Sequence, residues 1–243
     1  MTPRDIDLAT ITTWPAAVTE QHNGWFYLAA GGVTGRVNAV WPLDWRGAAL
    51  DRAIDHAEAW YAARGLPPRF KLTDGAYAPA DLPAALEARG YAPVVPTLIM
   101  TAPVTPVAAP AEVQVSATMP AAFDAVLRET AKDESEYDER HSIAVRAPQP
   151  AAFALIEQNG RAVAIGMAAA SGELAGIFLM RTAPEARRQG LARRIFRALI
   201  AQCASWGART AFLQVDADNA SAIALYESEG FSRLCAYRFW RTP

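Results

Sequence analysis

The chain has 243 residues, enough for one large domain or two of ordinary size. A hydrophobic fraction of 52% with 20% charged residues fits a globular protein with its own core, and a formal charge of −2 supplies no global field for nucleic acid or an anionic membrane. Two cysteines, Cys203 and Cys235, are too few for a disulfide scaffold and lack metal-ligand spacing. The opening MTPRDIDLAT has no apolar signal core and no apolar run approaches membrane-spanning length. The expectation is a soluble, reduced, cytoplasmic protein without a metal.

Taken in chain order, the pattern predicts a helix over 51–64, with Leu50, Ile54, Ala57 and Tyr61 on one face and Gly65 as its stop. A strand follows over 69–73, a helix over 82–89 and a strand over 97–101. Residues 102–111 (APVTPVAAPA) are Pro/Ala-rich and uncharged, which reads as a stiff connector. Beyond it, 120–130 reads as a helix and 132–140 (KDESEYDER) as an acidic, solvated stretch. Strands over 151–157 and 161–170 flank Asn159-Gly160, whose positive φ angles suit a hairpin turn. A third strand covers 174–181. Residues 191–206 form a helix with Leu191, Ile195 and Leu199 in a stripe and Gly207 at its end. A strand over 212–215, a helix over 219–229 ended by Gly230, and a strand over 234–240 complete a mixed α/β pattern.

The two halves share this order at an offset of 140 to 143 residues: Gly65 falls opposite Gly207, and 82–91 (LPAALEARGY) opposite 222–231 (AIALYESEGF). A shared order with matching Gly-aromatic endings argues for an internal repeat.

The stretch that carries chemistry is MRTAPEARRQGLA, residues 180–192, which leaves a strand and enters a helix. A helix N-terminus presents unpaired backbone N–H groups and the positive end of the helix dipole, the combination that holds phosphate oxygens. Residues 181–197 carry six arginines and one acid, Glu185, on a chain that is acidic overall. The pattern Arg187-x-x-Gly190-x-Ala192 resembles the acyl-CoA pyrophosphate loop of the GNAT acetyltransferase superfamily. Downstream, NASAIALYESEGF (219–231) resembles the helix that follows it there. The resemblance covers roughly residues 112–243.

It implies an α/β fold, a mixed sheet flanked by helices, and an acetyl-CoA-dependent N-acetyltransferase. The backbone of Met180, Arg181 and Thr182 is then expected to bond the pantetheine arm; Thr182 stands where many members carry a β-branched aliphatic. Arg187, Arg188, Gln189, Gly190, Leu191, Ala192 and Arg193 are expected to hold the pyrophosphate, Asn219 to contact the cofactor arm, and Tyr226 to protonate the departing thiolate as general acid. Seven residues separate Asn219 from Tyr226, two helical turns, so both lie on one face. The general base stays open among Glu173, the acids 133–139 and His141, or water. The acceptor is a small-molecule or peptide amine; nucleic acid is not expected, since basic residues concentrate in the loop.

Under the repeat alignment, Asp44 falls opposite Arg187 and Leu86 opposite Tyr226. The N-terminal half therefore resembles a degenerate lobe of a tandem member. The expected division is a lobe over 1–104, a linker over 105–111 and a catalytic domain over 112–243. The competing reading is a non-catalytic acyl-CoA sensor or scaffold.

Overall fold

The computed structural model describes residues 1–242. In chain order the first half contains α1 (Pro3–Thr13), β1 (Val18–His22), β2 (Trp25–Ala29), β3 (Val40–Trp41), α2 (Leu50–Ala62), β4 (Phe70–Thr73), α3 (Leu82–Ala88), β5 (Ala92–Pro93) and β6 (Thr97–Pro103). The second half contains β7 (Gln114–Ser116), α4 (Ala121–Glu129), α5 (Glu134–Arg146), β8 (Ala151–Gln158), β9 (Arg161–Ser171), β10 (Leu174–Thr182), α6 (Leu191–Ser205), β11 (Thr210–Asp216), α7 (Ala220–Ser228) and β12 (Ser232–Arg241). Among the described residues no helix is long and apolar enough to cross a membrane.

The expected mixed sheet flanked by helices is present, and among the described residues it is one sheet of twelve strands. Its order is β1-β2-β3-β4-β12-β6-β11-β10-β9-β8-β7, with β5 on the edge of β12. The centre of that order interleaves the halves. β12, from the end of the chain, pairs antiparallel with β4, and β6 pairs antiparallel with β11. β6 and β12 then pair with each other. Each half thus gives its last strand to the other half's sheet.

Alternation along the strands sorts side chains onto two layers. Ala152, Ala154 and Ile156 of β8 and Ala164, Ala168 and Ala170 of β9 join the core under α6 and α7. The intervening Phe153, Leu155, Ile165 and Met167 join the opposite core with α1, α4 and α5. The close approach of α6 explains the small residue in β9: a Cβ on Gly166 would lie 2.6 Å from both Ile195 and the Met180 sulfur. A third core, rich in aromatics, lies under α2 and α3 and takes in Trp25, Trp60, Phe70 and Tyr91.

Helix α1 crosses from the first half onto β9 and β10. Its Thr10 hydroxyl accepts from Gln214 Nε2 at 2.9 Å, and Trp14 just beyond it stacks on Phe178 at 4.9 Å. Asp7 of α1 meets Lys71 of β4 at 2.7 Å with both side chains out of solvent. The Lys71 ammonium also donates to Thr73 Oγ1 at 2.6 Å and lies over the Trp41 and Tyr237 rings. Burial pulls its pKa down against the nearby Asp7 charge.

The predicted elements of the second half are all present, with the Asn159-Gly160 turn at φ 53° and 76°. The acidic stretch over 132–140 differs from its reading: it forms most of α5, capped by Asp133 accepting from the Glu136 N–H at 2.9 Å. Tyr137, Glu139, Ile143 and Ala144 are its buried face. Glu139 is the unusual member. Its carboxylate accepts from the Val33 and Thr34 N–H groups and from Asn38 Nδ2, so a helix of the second half holds the 30–39 loop of the first.

Candidate active site

Strands β10 and β11 run parallel but pair only from Leu174↔Thr210 to Gly176↔Phe212. Beyond that point they separate. A Cβ on Gly176 would meet the Phe178 and Phe212 rings at 2.3 and 2.8 Å, and those two rings pack edge-on between the strands at 6.1 Å. On the other edge of β10 the register against β9 slips between Phe178 and Arg181, and Leu179 takes φ 52°. A bulge of this kind adds bend and twist, so β10 turns away from β11 and leaves a V-shaped opening.

Two clefts meet in the opening. The first, about 770 Å³, lies between the β10 end and the starts of α6 and α7. It is lined by Met180, Arg181, Thr182, Arg187, Arg188, Gly190, Leu191, Ala192, Arg193, Asn219 and Tyr226, so the residues expected around the cofactor come together here with one exception. Gln189 turns its side chain away to Gln158 Nε2, 3.1 Å distant. The sharp entry to α6 uses left-handed backbone at Arg188 (φ 60°) and at the Gly190 N-cap (φ 75°). A Cβ on Gly190 would touch nothing, so φ rather than crowding asks for glycine. No side chain caps this helix, and its first N–H groups remain open to an anion. Among the described residues Arg187 and Arg188 form no salt bridge, whereas Arg193 and Arg197 are held by Glu229 at 2.9 and 2.8 Å and Arg194 by Glu112 at 3.1 Å.

Asn219 caps α7 by accepting from the Ala222 N–H at 3.2 Å and lines both clefts. Tyr226 also lines both. Its ring packs against Phe196 and Phe231, and it is buried apart from the cleft side. Burial pushes its phenol up to about 12, so the group keeps its proton at neutral pH.

The second cleft, about 500 Å³, opens on the far side of Tyr226. β10 and β11 contribute Phe178, Leu179, Gln214 and Asp216, and the first half contributes Thr34, Gly35, Arg36 and Thr97. Of the open base candidates, Glu173 lies elsewhere: it is exposed beside Arg209 at the start of β10, roughly 20 Å along the strand from Met180. His141 is bonded to Asp124 at 2.7 Å outside the cleft, and Glu139 is committed to the 30–39 loop. Glu136 does line the cleft but carries Arg140 at 2.7 Å and Arg181 at 3.1 Å. Burial works to raise its carboxyl. The Lys132 N–H and the two guanidiniums outweigh that and hold it below its ordinary value.

Two cleft residues were missed from the sequence. Asp216 ends β11 and accepts from Thr97 Oγ1 at 3.1 Å, and its place at the carboxyl end of a parallel strand, where ligands of open α/β sheets bind, was the available signal. Arg36 had none, because only the fold carries its loop across.

The matching loop of the first half is closed. Asp44 accepts from the Trp45 N–H and from Arg46 Nε, each at 2.9 Å, and a Cβ on Gly47 would lie 2.5 Å from the Trp45 ring. That indole packs on Trp25.

The family described as "Probable histone acetyltransferase Rv0428c C-terminal" matches residues 2–240. The ribosomal protein bS18-alanine N-acetyltransferase of Escherichia coli (strain K12) is 39% identical over 77 residues, 32% of this chain and 52% of that protein. The match thus spans about half the length of that relative. Among solved structures, a GCN5-related N-acetyltransferase from Kribbella flavida superposes with a TM-score of 0.74 at 17% identity, covering 99% of this chain and 95% of that one. A tandem GNAT protein from the clavulanic acid biosynthesis pathway gives a TM-score of 0.56 at 16% identity over 78% of this chain and 68% of its own. With a family match over nearly its whole length, the chain belongs to the Rv0428c C-terminal family of probable histone acetyltransferases, and it shares the fold of GCN5-related N-acetyltransferases.

Proposed function

We propose that the protein transfers an acetyl group from acetyl-CoA to an amine by direct attack, with Tyr226 as general acid. One observation carries the reading: an opened β10–β11 pair leads from an uncapped, arginine-flanked helix start to a protonated phenol shared with a second cleft. Acetyl-CoA supplies the acyl group as a thioester. The open N–H groups at the start of α6, with Arg187 and Arg188, hold the pyrophosphate. Strand N–H groups of β10 freed by the splay bond the pantetheine arm and stabilise charge developing on the carbonyl oxygen. Tyr226 gives its proton to the departing sulfur, and the amine, which sheds its ammonium proton to solvent before attacking from the second cleft, returns one proton to the phenolate as the amide forms.

The division into a lobe over 1–104, a linker over 105–111 and a catalytic domain over 112–243 fits this reading, with the Trp45-filled loop marking the first lobe as degenerate. Both cysteines are buried and free, which suits the cytoplasmic location proposed with this reading.

Titration calorimetry tests the site. Micromolar acetyl-CoA binding by the wild type, lost in an Arg187→Ala/Gly190→Glu variant, is the expected result. No binding by either protein removes the reading. Tight binding with no CoA release across a broad amine screen selects the acyl-CoA sensor instead.

A further inference from the structure

The second cleft is polar in a particular way. Among the described residues Glu136 is its only acid engaged by arginine, and two guanidiniums, Arg140 and Arg181, share that single carboxylate. Arg36 has no acid within salt-bridge reach among the described residues; its guanidinium rests 5.5 Å over the Trp14 ring. Burial, and after it the Arg181 charge, brings the Arg140 guanidinium down to about 10, with Arg36 adding to the repulsion. One side of the cleft therefore holds unneutralised positive charge. Asp216, exposed at the end of β11, lines the same cleft, accepts from the Thr97 hydroxyl and forms no salt bridge among the described residues. A free cation and a free anion thus face one cavity without reaching each other.

Two further observations show that the arrangement is built. The loop bearing Arg36 is fixed from within and from the other half: Asn38 Oδ1 takes the Ala30 and Gly32 N–H groups, Glu139 of the other half takes those of Val33 and Thr34, and a Cβ on Gly35 would strike the Phe239 ring at 2.7 Å. Secondly, Thr34 Oγ1, Arg140 Nε and Gln214 Oε1 are buried polar atoms with no hydrogen-bond partner among the described residues, and all three residues line this cleft. Buried polar atoms are costly to leave unpaired, so their concentration here points to a polar occupant. At about 500 Å³ the cavity falls within the range of small-molecule sites.

Building on the proposed acetyl transfer, we propose that the acceptor is a free amino acid or close analogue. Arg36 receives its carboxylate and Asp216 its ammonium, presented toward the β10–β11 opening. A peptide N-terminus offers the ammonium but no adjacent carboxylate, and leaves Arg36 unmatched. In the reaction the acceptor ammonium releases one proton to solvent and the resulting amine forms the new C–N bond. The C–S bond breaks with its electron pair on sulfur, and sulfur takes the Tyr226 proton. The phenolate recovers a proton from the nitrogen as the amide forms.

The test measures CoA release with the standard L-amino acids, their C-terminal amides and an alanine-terminated hexapeptide. Wild type and Arg36→Gln are used, each first checked for melting temperature and acetyl-CoA affinity. The expected result is at least one amino acid with kcat/KM tenfold or more above its amide and above the peptide. Arg36→Gln should lower that acid-to-amide ratio by roughly tenfold to a hundredfold, the loss typical of removing one hydrogen bond to a charged group. Acid and amide turning over alike, the peptide outrunning every amino acid, an unchanged ratio in Arg36→Gln, or no turnover of amino acids by protein that binds acetyl-CoA would each overturn the inference and leave the cofactor site standing. Failure to bind acetyl-CoA would instead remove the underlying transferase reading.

Discussion

Tyr226 stands at the junction of the two clefts, and its surroundings set how it behaves. Phe196 and Phe231 crowd its ring and exclude water, which raises the phenol to about 12. Tyr226→Phe keeps the packing and removes the proton. The expected outcome is a fall in kcat of about 10²–10⁴-fold, typical of losing a general acid, with little change in acetyl-CoA affinity by calorimetry. Because the acid stays protonated well above its ordinary value, kcat at saturating acceptor should be level between pH 8 and 10. A descending limb centred near 10 would mean that the donor titrates as an ordinary phenol and that burial does not raise Tyr226. The other costly residue pair is Asp7 with Lys71. Asp7→Ala strands a buried ammonium, and chemical denaturation should show a loss of about 3–5 kcal/mol. Replacing both partners by apolar residues should recover much of it.

At the scale of elements, the spacing between β9 and α6 decides where the start of α6 sits relative to β10. Gly166→Ala forces Ile195 or Met180 aside. It is expected to cost about 1–3 kcal/mol in thermal unfolding, the usual range for overpacking, and to weaken acetyl-CoA binding where Met180, which lines the cleft, is the residue displaced. Most helices and strands of the second half were legible because apolar periodicity and glycine stops agree there, as in the Leu191–Ile195–Leu199 stripe before Gly207. Helix α5 was not, because its buried face is made of Tyr137, Glu139, Ile143 and Ala144 in a run that otherwise reads as solvated charge. The acid buried there is satisfied by backbone 105 residues away in sequence, a pairing no local pattern encodes. The cofactor loop was legible for the opposite reason. Its chemistry is carried by contiguous residues, by a left-handed glycine and by a helix start. Arg36 and Asp216 reach the same cleft from strands and loops that only the tertiary fold brings together.

Considered as a whole molecule, the sheet makes the halves interdependent. Strand β11, one wall of the opening, has β6 of the first half as its other neighbour, and β4 depends on β12 in return. Unfolding should therefore be a single transition, with tryptophan fluorescence, drawn mostly from the first half, and far-UV circular dichroism giving coincident midpoints. Residues 112–243 expressed alone should fail to give a cooperative melt, since β11 and β12 would lose β6 between them. Two resolved transitions would show that the exchanged strands contribute little to cohesion.

The exchange also has a consequence for synthesis on the ribosome. Strand β6 leaves the tunnel long before either of its neighbours exists, for its first partner begins at Thr210 and its second at Ser232. At typical elongation rates of about 5–20 residues per second, that strand waits roughly 5–20 s for its partners. For that interval a nascent chain displays the apolar sequence TLIMTAP as an unpaired edge, and yield from fast overexpression should depend on how well this one strand is shielded until the chain is complete.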